Sequence, residues 1–242
     1  TEGNVLRDNP QVAQKQKKDF SKIVAILYST DQGNLSNRSF REALSFSTPK
    51  IEGEEVADGS IPPNSWAYPG KIKDYLSNFK DGEKALGRAK GALETGFMKK
   101  ELVLTTTPQF ENIGAQIVSS WNKLGLKATL RIESGLPQNF QALLITQSIP
   151  VDPDQYFLWH STQSKTNITK YSSVRVDKDL EDGRKLIKEE DRKAKYEDFQ
   201  KVLLEDSPAT FLYFPKYNIF YLKKVEPMLH KILPLQLPDL TY

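Results

Sequence analysis

The sequence predicts an α/β fold in which helices flank a mixed β-sheet. Short runs of β-branched and aromatic residues alternate with longer segments whose apolar residues recur at spacings of three and four, as in helices that pack on a core. The clearest example is a strand at residues 101–106, a helix at 110–124 and a strand at 127–133. Strand, helix and strand joined by short connections form a βαβ unit, in which we expect the two strands to be parallel.

One strand and two helices are predicted before this unit. The strand covers residues 22–29, where β-branched and aromatic residues follow one another, and the helices cover 34–46 and 81–95. Between the two helices, residues 48–70 are rich in Pro and Gly, which predicts a long loop. Loops of this length in compact proteins are usually functional or disordered. Residues 1–19 are polar and predict an extended segment or a short helix.

The elements after the unit extend the sheet and add helices. An apolar run at residues 142–146 predicts a buried strand in the same sheet, and residues 148–159 leave its end as a loop. The remaining predicted elements are two charged helices and two short aromatic-rich strands, at 177–190, 191–204, 209–214 and 218–222.

The composition indicates a globular protein without a strong preference for charged partners. The chain has 242 residues, of which 38% are hydrophobic and 27% charged, so it can bury a substantial core. Its 34 basic and 31 acidic residues are interspersed and give a net charge of only +3, so we expect no nucleic-acid partner. No apolar stretch approaches the roughly 20 residues of a membrane helix.

Several kinds of catalytic and metal site are excluded by the sequence. The absence of cysteine removes disulfides, zinc–thiolate sites and cysteine nucleophiles. The two histidines, His160 and His230, lie far apart, which argues against a histidine dyad or a multi-histidine metal site. The chain has no Gly-rich phosphate loop, Ser nucleophile elbow or HExxH motif. The sequence therefore predicts a binding protein rather than an enzyme, with no cofactor and no metal.

Polar and aromatic side chains gather at two strand ends and in the long loop, where α/β proteins commonly hold ligands. Hydroxyls and free backbone N–H groups at a strand–helix junction can hold a carboxylate, and aromatic rings can stack on a ligand. The candidate ligand-binding residues are Trp66, Thr106, Thr107, Gln109, Gln147, Ser148, Gln155, Tyr156 and Trp159. Their alternative roles are core packing for the aromatic residues and helix capping for the threonines.

Two acids and one histidine near the 148–159 loop need a separate interpretation. Asp152 and Asp154 could together bind a cation or a ligand amine. We favour instead a helix cap for Asp152, which precedes Pro153, and a favourable first-turn acid for Asp154. His160 has no nucleophile or carboxylate at motif spacing, so we interpret it as a surface or packing histidine.

Seven segments form a set of motifs in sequence order. They are FREALSFST (40–48), GSIPPNSWAY (59–68), KALGRAKGALETGF (84–97), LVLTTTPQFENIGAQIVSSWNKLGLKATLRI (102–132), VDPDQYF (151–157), YSSVRVDKDLEDGRK (171–185) and DRKAKYEDFQKVLLEDSPATFLYFP (191–215). The set resembles motifs of the family 5 extracellular solute-binding proteins, the dipeptide and oligopeptide receptors of ABC importers. Each motif alone is weak, but seven in the family's order form a specific signal.

This resemblance implies a lobe of the periplasmic-binding-protein fold (type II, cluster C) that closes on a partner lobe around a peptide or similar small solute. Residues 1–73 would be a partial remnant of the preceding lobe with a connecting segment, residues 74–225 the α/β solute-binding lobe, and residues 226–242 a tail returning towards the missing N-terminal lobe. The resemblance also implies a monomer that docks on ABC permease subunits. The expected location is extracellular or periplasmic, as a lipoprotein anchored to the membrane through a segment absent from this chain.

One position departs from the family pattern. In peptide-binding members, an aspartate a few residues before the Asp-Pro turn pairs with the amino terminus of the peptide, and Ser148 or Ile149 stands there in this chain. An uncharged residue cannot neutralise an ammonium group, and a lost charge pair in a partly buried site costs about 2–5 kcal/mol. The alternative function is therefore a non-transport protein-interaction or structural module that keeps the lobe fold without a ligand.

Overall fold

The computed structural model describes residues 6–135, 137 and 139–228 of the chain. Within these residues the strands are β1 (Val12–Lys18), β2 (Lys22–Tyr28), β3 (Glu101–Thr106), β4 (Lys127–Ile132), β5 (Ala142–Ser148), β6 (Ala209–Tyr213) and β7 (Lys216–Leu222). The α-helices are α1 (Arg38–Ser47), α2 (Phe79–Lys90), α3 (Glu111–Lys123), α4 (Tyr156–Trp159), α5 (Val174–Lys185) and α6 (Glu189–Asp206). His230 and most of the predicted tail at 226–242 lie outside the described residues.

Five strands form one mixed sheet in the order β4–β3–β5–β2–β6. β3 pairs in parallel with β4 and β5, whereas β2 runs antiparallel to both β5 and β6. The parallel pairing of β3 and β4 and the place of β5 in their sheet agree with the prediction. The predicted fold class, a mixed sheet flanked by helices, is confirmed.

β2 lies inside the sheet, and residues 23–28 are each at most 2% exposed. Successive side chains of a strand point to opposite faces of the sheet. The even-numbered residues of this run therefore enter one hydrophobic core and the odd-numbered residues enter the other. An uninterrupted apolar run is what a strand buried on both faces requires.

Helices cover both faces of the sheet. On one face, α1, α2 and α3 contribute Phe40, Leu86 and Trp121 to the first core. On the other face, α5 and α6 contribute Leu180 and Phe199 to the second core. The result is a three-layer α/β arrangement with the sheet in the middle.

Two elements that precede the predicted division of the chain at residues 73/74 contact elements that follow it. Both β2 and α1 precede that boundary, yet β2 pairs with β5 along its whole length and α1 packs against α2. Pairing between segments so distant in sequence leaves no trace in local periodicity. β2 and α1 therefore pack together with later elements, and the division of the chain into a lobe remnant before residue 74 and a lobe after it stays a prediction.

Side-chain caps place the starts of the first two helices. The backbone N–H of Phe40 donates to Oδ1 of Asn37 at 3.0 Å, so α1 begins at Arg38 rather than at residue 34 as predicted. The backbone N–H of Asp81 donates to Oδ1 of Asn78 at 3.3 Å, and α2 begins at Phe79, immediately after Asn78. Asparagine is among the residues preferred at the N-cap, the position just before a helix, because its side-chain oxygen accepts from a free N–H of the first turn.

β1 and β7 form a separate antiparallel ribbon that runs from the pair Val12–Leu222 to the pair Lys18–Lys216. β1 has the polar sequence VAQKQKK, so its strand conformation depends on pairing with β7 rather than on an apolar pattern. Residues 19–21 lead from the ribbon into β2, and residues 214–215 lead from β6 into the ribbon. These two links touch where the backbone N–H of Asp19 donates to the carbonyl of Pro215 at 2.7 Å.

None of the helices in the described part of the chain combines the length and the apolar character needed to cross a bilayer.

Candidate functional site

A cleft with a volume of about 470 Å³ opens where the ribbon meets the sheet. This volume lies within the range of about 300–1,000 Å³ that is usual for ligand pockets. Its walls come from the turn before β2, the Pro-rich loop, the loop after β5 and the start of β7. We call it the Trp66 cleft, and it is lined by Asp19, Phe20, Ser21, Pro62, Asn64, Ser65, Trp66, Pro150, Val151 and Tyr217.

A more open groove of about 490 Å³ adjoins the Trp66 cleft and shares Asp19 and Tyr217 with it. The residues that line this strand-end groove are Asp19, Lys22, Thr146, Ser148, Pro215, Lys216 and Tyr217. Lys22 lies opposite Ser148 in the register of β2 and β5. The groove therefore carries two ammonium groups and one carboxylate at the carboxyl end of β5.

Trp66 is held in place by two side chains of α6. The guanidinium of Arg192 lies 5.1 Å from the centre of the Trp66 ring, and the ring of Tyr196 meets it edge-on with centroids 6.0 Å apart. Arg192 is itself fixed, because it donates to Asp152 Oδ1 at 2.7 Å and to the carbonyl of Gly183 at 3.1 Å. A ring held from behind in this way loses little conformational freedom when a ligand packs on its open side.

The opposite side of the cleft is also apolar. Phe20 packs edge-on against Phe214 with ring centroids 5.1 Å apart, which anchors the turn before β2. The backbone N–H of Ile149 donates to the carbonyl of Ser21 at 2.8 Å, and this bond ties the turn to the end of β5. Val151 follows two residues later and is 90% exposed, so the cleft presents an uncovered aliphatic side chain to solvent.

Asp19, which borders both the cleft and the groove, already has partners. Its Oδ1 accepts hydrogen bonds from the backbone N–H of Ser21 at 3.1 Å and from the Ser21 hydroxyl. Its Oδ2 lies 3.4 Å from the ammonium of Lys22. Burial raises the pKa of Tyr217, and the nearby Asp19 carboxylate adds to this effect, so the phenol stays neutral at physiological pH.

The structure overturns the prediction that Asp152 is a helix cap. The nearest helix, α4, begins only at Tyr156, and the backbone N–H of Tyr156 donates to Asp154 Oδ1 at 3.0 Å. Asp152 instead accepts from the backbone N–H of Asp154 at 2.9 Å and from Arg192. Asp154 lies 2.8 Å from the guanidinium of Arg184. The two acids are therefore neutralised by different arginines rather than facing a common ligand.

Two of the nine predicted ligand residues border the open surfaces: Trp66 lines the Trp66 cleft and Ser148 lines the strand-end groove. Gln155 is buried, donates to the carbonyl of Ser60 at 2.8 Å and accepts from Trp159 Nε1 at 2.9 Å. Trp159 is buried as well and packs on Phe211. Gln155 and Trp159 thus join loops inside the protein.

Tyr156 and Gln147 also lie away from the Trp66 cleft. The Tyr156 ring stacks on His160 with centroids 4.0 Å apart, under the guanidinium of Arg184 at 4.3 Å. Gln147 lines a cavity of about 10 Å³ beside Trp159, too small for a ligand. His160 is buried, with Nε2 3.3 Å from a carboxylate oxygen of Glu181, which agrees with a packing role.

The three predicted site residues at the end of β3 have different surroundings. The Thr106 hydroxyl is buried and donates to the carbonyl of Leu144 at 2.9 Å, so it ties β3 to β5. Gln109 is exposed. The hydroxyl of Thr107 is enclosed and has no hydrogen-bond partner among the described residues. Across those residues, no group of three or more His, Asp or Glu side chains is arranged to hold a metal ion.

Sequence reasoning missed Asp19, Phe20 and Tyr217, which come from the two links between ribbon and sheet. Phe20 is an isolated aromatic residue in the polar run QKQKKDFSK, and Tyr217 lies immediately before the strand predicted at 218–222. An aromatic residue that interrupts a charged run is a usable but weak signal of a binding surface. Their proximity depends on the pairing of β1 with β7.

No protein-family model matches the chain. The oligopeptide-binding protein AppA of Bacillus subtilis (strain 168) is 28% identical over 193 residues, which cover 70% of this chain and 36% of AppA. The predicted resemblance to the family 5 solute-binding proteins is confirmed. The aligned residues thus span well under half the length of AppA.

Solved structures show the same fold. The structure of Bacillus subtilis AppA in complex with a nonapeptide superposes with a TM-score of 0.80 at 22% identity, over 92% of this chain and 50% of that chain. NikZ of Campylobacter jejuni in complex with Ni(L-His) gives a TM-score of 0.79 at 22% identity, over 91% and 50%. DppA of Helicobacter pylori in complex with the peptide STSA gives 0.75 at 19% identity, over 92% and 47%. The described lobe therefore has the fold of about half of a family 5 protein.

Proposed function

We propose that this chain is part of the solute-binding component of an ABC importer, which binds a peptide or similar small solute in the Trp66 cleft and delivers it to a membrane permease. The observation that carries the proposal is the cleft itself. It has the volume of a ligand site, mostly apolar walls and a preorganised tryptophan, and it lies at the edge of the sheet where the ribbon leaves. Relatives of the same fold have been solved with peptides bound.

The proposal includes a second lobe of the same protein that completes the cleft. The ribbon of β1 and β7 supports this idea, because it extends away from the sheet directly beside the Trp66 cleft. Residues 1–73 would include part of the connection to that lobe, and the tail after residue 226 would return to it. The protein would act as a monomer outside the cytoplasm, extracellular or periplasmic, and would be anchored to the membrane.

A ligand screen on the full-length protein tests the proposal. A mixture of short peptides should raise the melting temperature by several degrees, because a ligand at a hundred times its dissociation constant adds about 2.7 kcal/mol of stability. Sugars and metal ions serve as matched controls and should leave the melting temperature unchanged. A shift with sugars or metals and none with peptides would contradict peptide binding.

A protein-interaction or structural module without a ligand is the second candidate. The observation in its favour is that Gln155 and Trp159, two of the residues expected to face a solute, are used in internal contacts. This candidate predicts that no peptide, sugar or metal in the screen changes the melting temperature. The same screen therefore separates the two functions.

A further inference from the structure

We infer that the Trp66 cleft selects a large uncharged side chain of the ligand, aromatic or branched aliphatic, and rejects lysine, arginine, aspartate and glutamate at that position. This inference rests on the proposed function, since it names the class of peptide that the same site would prefer. It is carried by the chemistry of the cleft walls and by the pairing of the charged side chains described at its border.

The walls offer apolar surface of a kind suited to an aromatic or aliphatic group. Six of the ten lining residues are Phe20, Pro62, Trp66, Pro150, Val151 and Tyr217. Rings and proline faces contact apolar groups over a large area without a specific hydrogen bond. A large apolar side chain would cover Val151, which is otherwise 90% exposed, and so remove apolar surface from water on both partners.

The charged side chains that the structure describes at the cleft already have partners of their own. Asp19 is the one charged side chain among the described residues that line the cleft, and it is already bonded to Ser21 and paired with Lys22. Behind Trp66, the charge of Arg192 is balanced by Asp152 at 2.7 Å. A ligand ammonium or carboxylate that entered the cleft would lose water without gaining a counter-ion from the described residues, which disfavours binding.

The test measures dissociation constants of the full-length protein with alanine-based peptides by calorimetry. Each position of the peptide is replaced in turn by tryptophan, leucine, lysine or glutamate. At one position, tryptophan and leucine should bind about 10- to 100-fold more tightly than lysine and glutamate, the ratio expected from burying one large apolar side chain. Peptides that bind without such a preference at any position would overturn this inference and leave the proposed function intact. If no peptide in the set binds, the result contradicts both the proposed function and this inference.

Two variants locate the preference in the cleft. Val151→Asp changes an almost fully exposed side chain, so the fold is retained, and it adds a carboxylate to the cleft; the preference should shift from leucine towards lysine at the same peptide position. Phe157→Ala is the control, because Phe157 is a 43% exposed aromatic residue of α4 outside the cleft lining. A Val151→Asp protein that ranks the peptides as the parent does, or a Phe157→Ala protein that loses the preference, would place the selecting site elsewhere and overturn the inference.

Discussion

Arg192 donates a hydrogen bond from Nη2 to Oδ1 of Asp152 at 2.7 Å, which links α6 to the loop after β5. The same guanidinium donates to the hydroxyl of Tyr196 at 3.1 Å and to the carbonyl of Gly183 at 3.1 Å. Through its contact with the Trp66 ring, it also supports one wall of the cleft. A single side chain therefore joins the helical layer, the loop and the candidate site.

Replacing this side chain by methionine should lower stability and ligand affinity together. Arg192→Met keeps most of the side-chain volume but leaves the Gly183 carbonyl without its donor, which we expect to cost about 1–3 kcal/mol of unfolding free energy. Loss of the Arg192–Asp152 ion pair adds little to this cost, since the Asp152 side chain is 51% exposed. Urea unfolding measures the change. Lys178→Met, which removes an exposed lysine on α5, is the control and should cost less than about 0.5 kcal/mol; equal losses in the two variants would contradict the role given to Arg192.

Gln155 provides a second test, because it was predicted to bind ligand and the structure gives it an internal role. Gln155→Leu would leave the Ser60 carbonyl and the Trp159 indole N–H without partners, and each buried unpaired group costs about 1–3 kcal/mol. We expect a marked fall in the urea midpoint before any ligand is added. The exposed Gln109→Leu should change stability by less than about 0.5 kcal/mol. A Gln155→Leu protein that is as stable as the parent but unable to bind peptide would instead indicate that Gln155 contacts the ligand.

The sequence was sufficient for elements whose apolar pattern is local. β3 was predicted at residues 101–106, and the structure has Glu101–Thr106; α3 and β4 differ from their predictions by a residue at one or both ends. Their periodicity is complete within the segment, so no distant contact is needed to find them. The ends of α5 and α6 were less accurate, because Leu186 and Ile187 continue the helical spacing of apolar residues into 186–188, the segment that separates the two helices.

The cleft could not be predicted because it depends on pairings between distant segments. Phe20 and Tyr217 line the same cleft only because β1 pairs with β7 and β2 pairs with both β5 and β6. The polar sequence of β1 gives no strand signal of its own. Trp66 was identified because a tryptophan in a Pro-rich loop has no helical or strand period to account for it. The internal contacts of Gln155 and Trp159 could not be predicted for the same reason, since their partners Ser60 and Phe211 lie far away in the sequence.

Asp179 should make stability depend on pH between about 4 and 6. Burial raises the pKa of its carboxyl to about 6, and a hydrogen bond with Asp198 adds to this, against the opposing effect of Lys195. In the unfolded chain an aspartate has a pKa of about 3.9. Between these values the folded protein binds a proton that the unfolded chain does not, so the contribution of Asp179 to stability falls as the pH rises.

Asp179→Asn removes this titration, and unfolding at several pH values reveals it. The stability of the variant relative to the parent should increase as the pH rises from about 4 to about 6. Asp81→Asn is the control, because hydrogen bonding to Lys84 lowers the pKa of Asp81, so its contribution is lost only at still lower pH. A constant difference between Asp179→Asn and the parent over this range would show that the Asp179 carboxyl titrates normally.

Gly59 should tolerate no side chain, because the space beside it is filled by Gln200. A Cβ on Gly59 would lie 2.7 Å from Cδ of Gln200. Gln200 cannot swing aside easily, since it is fully buried and its Oε1 accepts from the backbone N–H of Ile61 at 2.7 Å. Gly59→Ala should therefore cost about 1–3 kcal/mol of unfolding free energy, as overpacked cores do.

The matched control for this substitution is Gly87→Ala in α2. No atom lies within 4 Å of a Cβ at Gly87, and alanine in a helix interior is favoured over glycine by roughly 0.5–1 kcal/mol. The two substitutions add the same methyl group and should change the urea midpoint in opposite directions. Because the chain from Ile61 leads directly to Trp66, Gly59→Ala should also weaken peptide binding, whereas Gly87→Ala should leave it unchanged. If the two substitutions change peptide affinity equally, the Pro-rich loop does not support the candidate site.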